Sequence, residues 1–240
     1  MNESVDKTYK KVQYTLQRKR GLKSLRLRVK DDGRIFVSAP SLLPLSHIES
    51  FIDSKQKWLT QRVEQLAQLE PPLKEHTYKD GDEFLFLGEK KSLVVIEGTT
   101  IDDYVELKGS QLVVYVSSRA SKKRVKDLIT TWYTQEGLSL YTAQVKKWIN
   151  LLGITKPYTI QMANLPKRLG SCSHKGVLTF SLRSLMLPPS LMTYIALHEV
   201  AHLIHFNHSP QFKQLLSQYM DDWEQRRENI NLLRLQIKGL

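Results

Sequence analysis

Between Leu191 and His208 the sequence reads LMTYIALHEVAHLIHFNH, gathering four of the chain's seven histidines around one glutamate. His198 and His202 are four residues apart. In a helix that spacing sets one side chain a turn above the other, with about 5–6 Å between β-carbons, so both imidazoles can reach one ion at roughly 2.0–2.1 Å. Glu199 follows the first histidine directly, so its carboxylate lies beside such an ion and can accept a proton from water activated by it. The spacing is that of a zinc site with a built-in general base. The bland alternative is a core helix with hydrogen-bonded histidines. It would bury two imidazoles and a carboxylate on an otherwise apolar helix, which is costly without partners.

Catalytic zinc usually takes three protein ligands and keeps one position open. His205 and His208 are the nearby candidates for the third. Three ligands along one straight helix span about 10 Å at 1.5 Å per residue and cannot surround an ion tetrahedrally, which counts against His205. Asn207 suits a left-handed helix stop, and Ser209-Pro210 is a helix-start pair. The chain is therefore expected to turn at Asn207 and bring His208 back to the ion from another direction. Cys172 is the single cysteine, which excludes an intramolecular disulfide and a thiolate-rich site. Arg168 and Tyr194 are candidate substrate contacts, the first as a cation for a carboxylate or oxyanion, the second because it lies one turn before His198. Cys172 lacks a histidine in a characteristic partner arrangement and reads as a small loop residue rather than a nucleophile.

The elements that must position these residues divide by pattern. Strands are expected over Tyr9–Gln17, Lys23–Lys30 and Arg34–Ser38, the last two joined by the turn Asp31-Asp32-Gly33. One long helix is expected from Leu45 to Leu69, closed before Pro71-Pro72, followed by two more hairpins with Gly88 and Gly109 near their turns. Apolar spacing turns helical from Ala120 to Leu152. Then come a strand at Tyr158–Met162, a polar loop through Gly170–Ser173, a strand from Val177 to Leu185 and the helix Leu191–His205. No sequence repeat stands out. The fold class is α+β, with a β-rich N-terminal region over 1–118 carrying one long helix and a catalytic domain over 119–240.

HEVAHLIHFNHSPQF, preceded by RLGSCSHKGVLTFSLRSLMLPP, resembles the bacterial YgjP-like metallopeptidases, relatives of the SprT-type zincins. Ser38-Ala39-Pro40, Lys57-Trp58, Phe86-Leu87-Gly88 and Trp132-Tyr133 extend the resemblance over most of the chain. It implies a zincin-like domain whose H-E-x-x-H helix packs on a small sheet. It also implies one Zn2+ on His198, His202 and His208, and Glu199 as general base. A substrate peptide would lie extended along the free edge of Val177–Leu185. Leu169 departs from the family pattern, which commonly has Trp there.

The activity expected is hydrolysis of peptide bonds in a peptide or protein substrate. Two rivals are a zinc amidase acting on a non-protein amide, and a basic nucleic-acid-binding protein with a structural zinc. The formal charge of +12 makes nucleic acid a candidate partner, through the cations between Lys7 and Lys30. A structural site has no use for Glu199, which counts against the second rival. The opening residues lack the apolar stretch of a secretory signal, and no segment holds about 18 uninterrupted apolar residues. A cytoplasmic location without membrane association is the expectation.

Overall fold

The computed structural model describes residues 3–30, 32–69, 75–99, 102–119, 121–234 and 236–237. Asp31 of the expected turn, the Pro71-Pro72 helix stop and Ala120 lie outside them. The chain divides into two compact units, Met1–Pro71 and Pro72–Leu240.

The first unit pairs two hairpins. Strands β1 (Glu3–Tyr9) and β2 (Val12–Lys19) form one, and β3 (Arg26–Val29) and β4 (Ile35–Pro40) the other; β2 runs parallel to β4, giving the order β1-β2-β4-β3. Period-two alternation turns Tyr14, Leu16, Val37 and Ala39 inward against Ile48 and Ile52 of α1 (Leu45–Ser54) and Leu59 of α2 (Gln56–Gln68). Two expectations change here. The single strand Tyr9–Gln17 is a hairpin turning at Lys10, whose φ is 52°, and a charged Lys-Lys pair gives no turn signal to read. The long helix is two helices, broken at Lys55. Arg26 and Arg28 are exposed, so the basic face foreseen from the sequence exists. A solvated sheet edge looks the same, and the face alone names no partner.

The second unit opens with a sheet of the same design. Strands β5 (Glu83–Phe86), β6 (Glu89–Glu97), β7 (Tyr104–Lys108) and β8 (Gln111–Val116) take the order β5-β6-β8-β7, again two hairpins joined by a central parallel pair. This recurrence of topology escaped the sequence reading, which looked for repeated residues. Helix α3 (Lys122–Leu151) follows, its N-cap Ser121 accepting from the backbone N–H of Arg124. The division into units falls at Pro71 instead of 118 because this second sheet is bound to the helices. The Tyr133 hydroxyl donates to the Leu85 carbonyl at 2.7 Å, the Leu87 N–H donates to the Leu185 carbonyl at 2.7 Å, and Phe86 packs on Trp132.

The remaining elements surround α3. They are β9 (Thr159–Ala163), β10 (Gly170–Cys172), β11 (Val177–Ser181), a 3-10 turn (Leu182–Met186), α4 (Pro189–Ala201), α5 (Pro210–Tyr219) and α6 (Trp223–Leu233). The sheet order is β10-β11-β9, with β10 antiparallel and β9 parallel to β11. Gly137 lets α3 approach this sheet, since a β-carbon there would meet Met162 Cε at 2.6 Å and Leu185 Cδ1 at 2.8 Å. Helix α4 is buried on most sides, through Leu191, Met192, Ile195, Ala196, Leu197, Val200 and Ala201, which is why it shows no polar face. The α+β class and a helix bearing His198 packed on a small sheet are as expected. Among the described residues no helix is long and apolar enough to cross a membrane.

Candidate metal centre

Helix α4 ends at Ala201, earlier than the sequence pattern suggests, and His202 is its C-cap. The Leu203 and Ile204 N–H groups fold back on Val200 and Ala201, and the chain turns through Asn207 to Ser209. Ser209 then caps α5 by accepting from the Phe212 N–H, with Pro210 in the first turn. That corner returns His208 to the helix.

His198, His202 and His208 offer ring nitrogens that all lie within 4.8 Å of one another, and Nε2 of His198 is 3.0 Å from Nε2 of His208. His205 is outside this group. Its backbone carbonyl instead stands 3.0 Å from His202 Nδ1, which fixes that ring with Nδ1 carrying the proton and Nε2 free. The buried ring of Phe212 lies under the cluster, with centroids 5.1, 4.6 and 5.0 Å from those of His198, His202 and His208. The sequence reading passed over Phe212; its position three residues after a Ser-Pro helix start was the available signal. Burial, then the neighbouring His202, His208 and Arg227 in that order, push His198 down to about 3, and burial also lowers His202. Both helix imidazoles are neutral at ordinary pH, the form that binds a metal. Three converging imidazoles with no thiolate among them fit one divalent metal ion.

Glu199 is 6% exposed, and among the described residues its carboxylate makes no hydrogen bond. Burial raises it to about 8, opposed by the charge of Arg168. It stands over Gly170, where a β-carbon would come 2.5 Å from Oε1, so only glycine leaves room for the carboxylate. The segment expected as a polar loop is therefore strand β10, pressed against α4.

This corrects the substrate edge. Strand β11 is flanked on both sides, by β10 and β9, and has no free edge; β10 and β9 are the edge strands, and β10 is the one that meets Glu199. The Ser181 N–H donates to Leu169 O and the Ser173 N–H to Val177 O, both at 2.9 Å. By the alternation of antiparallel ladders, Gly170 and Cys172 then turn their N–H and C=O groups to the open side. Arg168, exposed, lies just before this strand, and its charge is felt at Glu199. Tyr194 is 4% exposed and its hydroxyl meets His198 Nδ1 at 3.4 Å. Burial and the nearby Glu199 push the Cys172 thiol up to about 11, so it is protonated and not a nucleophile. Leu169 is a core residue at 8% exposure, so the departure from the family pattern alters packing behind the strand.

A family model described as the YgjP-like metallopeptidase domain matches residues 23–232. The chain belongs to this family. This YgjP-like chain is accordingly a metallopeptidase, a hydrolase acting on peptides or proteins. No curated protein matches it. Among solved structures it is similar to the metallopeptidase zymogen jannalysin of Methanocaldococcus jannaschii, at 22% identity and a TM-score of 0.35, over 38% of this chain and 86% of that one. It is also similar to the metallopeptidase zymogen abylysin of Pyrococcus abyssi, at 23% identity and a TM-score of 0.36, over 38% of this chain and 90% of that one.

Proposed function

We propose that the chain is a zinc-dependent peptidase in which His198, His202 and His208 hold the ion and Glu199 is the general base. The observation that carries this reading is the convergence of three imidazole nitrogens within 4.8 Å, next to a buried carboxylate without a hydrogen-bond partner. When bound, the ion supplies Lewis acidity, polarising the scissile carbonyl and acidifying water. The protein's own groups do the rest. The substrate backbone adds as a strand to β10, pairing with the outward N–H and C=O groups of Gly170 and Cys172. Glu199, held between Gly170 and α4, takes a proton from the attacking water and delivers it to the departing amine. Arg168, at the start of the same strand, meets a substrate carboxylate or carbonyl oxygen. The buried base at Glu199 favours this over a structural zinc. The unpaired edge of β10, which offers backbone N–H and C=O groups to an extended chain, favours it over a non-protein amide. We place the protein in the cytoplasm.

The test is Glu199→Gln. Bound metal, measured by elemental analysis after dialysis, should stay at one ion per chain, while turnover of a cleaved peptide falls on the order of 10²–10⁴-fold. Near-normal turnover would sink the role given to Glu199.

A further inference from the structure

Resting on the metal reading above, we infer that Tyr194 is a positioning residue: its hydroxyl holds His198 in the tautomer and orientation that point Nε2 at the ion. The two helix histidines are braced in different ways. His202 Nδ1 faces the His205 carbonyl at 3.0 Å, and since a carbonyl only accepts, that ring's proton sits on Nδ1. Among the described residues no backbone carbonyl serves His198. The group at its Nδ1 is the Tyr194 hydroxyl, at 3.4 Å, from one turn earlier on α4.

A hydroxyl can donate or accept, so the direction must come from the other side of the ring. His198 Nε2 is the nitrogen that faces His208 Nε2, at 3.0 Å. With that lone pair engaged by an ion, Nδ1 must carry the ring's hydrogen and donate it to Tyr194. The phenol has little freedom to do anything else, because it is 4% exposed and packed in the main core. Tyr194 therefore belongs to the support of the centre and not, as its helical position first suggested, to substrate recognition. Both supports, a carbonyl and a phenol, are neutral acceptors, so neither helix histidine has a negative charge behind it in this pairing. Outer partners of ligating histidines commonly contribute 10–100-fold in metal affinity.

The experiment is a Zn2+ titration of the metal-free full chain against a fluorescent chelator, comparing wild type with Tyr194→Phe. The variant should bind roughly 10–100-fold more weakly. Its Co2+-loaded visible spectrum should shift as well, while the metal-free melting transition of the unit Pro72–Leu240 stays close to that of wild type. Binding within twofold of wild type with an unchanged cobalt spectrum overturns the assignment. A second measurement needs no variant: long-range 1H–15N correlation on the zinc-loaded wild type should show His198 protonated at Nδ1, and the opposite tautomer overturns the inference. A wild-type chain that takes up no zinc overturns the metal reading together with this one. A variant that matches a zinc-binding wild type overturns the Tyr194 assignment alone.

Discussion

Glu199 shows how much of a residue's chemistry is set by what stands next to it in space. Its neighbour in sequence, His198, made the pair legible from spacing alone, because helical geometry dictates where adjacent side chains go. Gly170 was not legible as its partner, since nothing local links a loop glycine to a carboxylate on a later helix. The pocket they form has a measurable signature. In the metal-free chain Glu199 keeps its proton up to about 8, whereas the unfolded chain loses it near 4.5, so its contribution makes stability fall as pH rises through that window. His198 acts in the opposite sense. Its folded value of about 3 lies below the unfolded 6.5, so its contribution rises between those values and is constant above 6.5. From pH 6.5 to 8 the Glu199 effect stands alone of the two. Urea midpoints of the chelated protein are expected to fall over that interval, and to stay level with zinc present, because a cation beside the carboxylate keeps it ionised. A chelated protein whose midpoint rises from 6.5 to 8 would contradict the buried acid.

At the scale of elements, the corner between α4 and α5 decides which histidines meet. The helix-start signal at Ser209-Pro210 was readable and is met, whereas the left-handed stop expected at Asn207 is not: the described non-glycine residues with positive φ are Lys10, Tyr78 and Leu87. The stop itself comes at Ala201, with His202 as C-cap, and residues 202–209 bear no glycine or proline to announce it. The consequence is a division of labour between His205, which contributes a backbone carbonyl, and His208, which contributes a ring. Because a carbonyl survives side-chain truncation, His205→Ala should keep stoichiometric zinc and most of the activity. His208→Ala should weaken zinc binding on the order of 100-fold or more, beyond what an outer partner contributes. Metal content after dialysis against a mild chelator separates them, and the reverse ranking would mean the corner is built differently. Strand β10 was hidden for a related reason. Three residues rich in Gly, Ser and Cys carry no strand pattern, and only pairing with β11 makes them an edge.

On the scale of the whole molecule, the units differ in what holds them. Met1–Pro71 relies on a small core of Tyr14, Leu16, Val37, Ala39, Ile48, Ile52 and Leu59. An assembly of about 70 residues with one small core is marginal on its own. Pro72–Leu240 packs a far larger cluster around α3 and α4. The sequence boundary was drawn at the change from strands to helices, because periodicity reports local structure and not which sheet a helix covers. Calorimetry of the full chain should show two transitions, the first unit melting at the lower temperature; a single transition with equal calorimetric and van't Hoff enthalpies would refute this. All three converging histidines belong to the larger unit. By mass action an ion that binds only the folded site stabilises that unit by RT ln(1 + [L]/Kd), a free energy the other does not share. Raising the free zinc concentration should therefore move the upper transition and leave the lower one in place. The heat trace then becomes a binding isotherm for the centre, readable before any substrate is known.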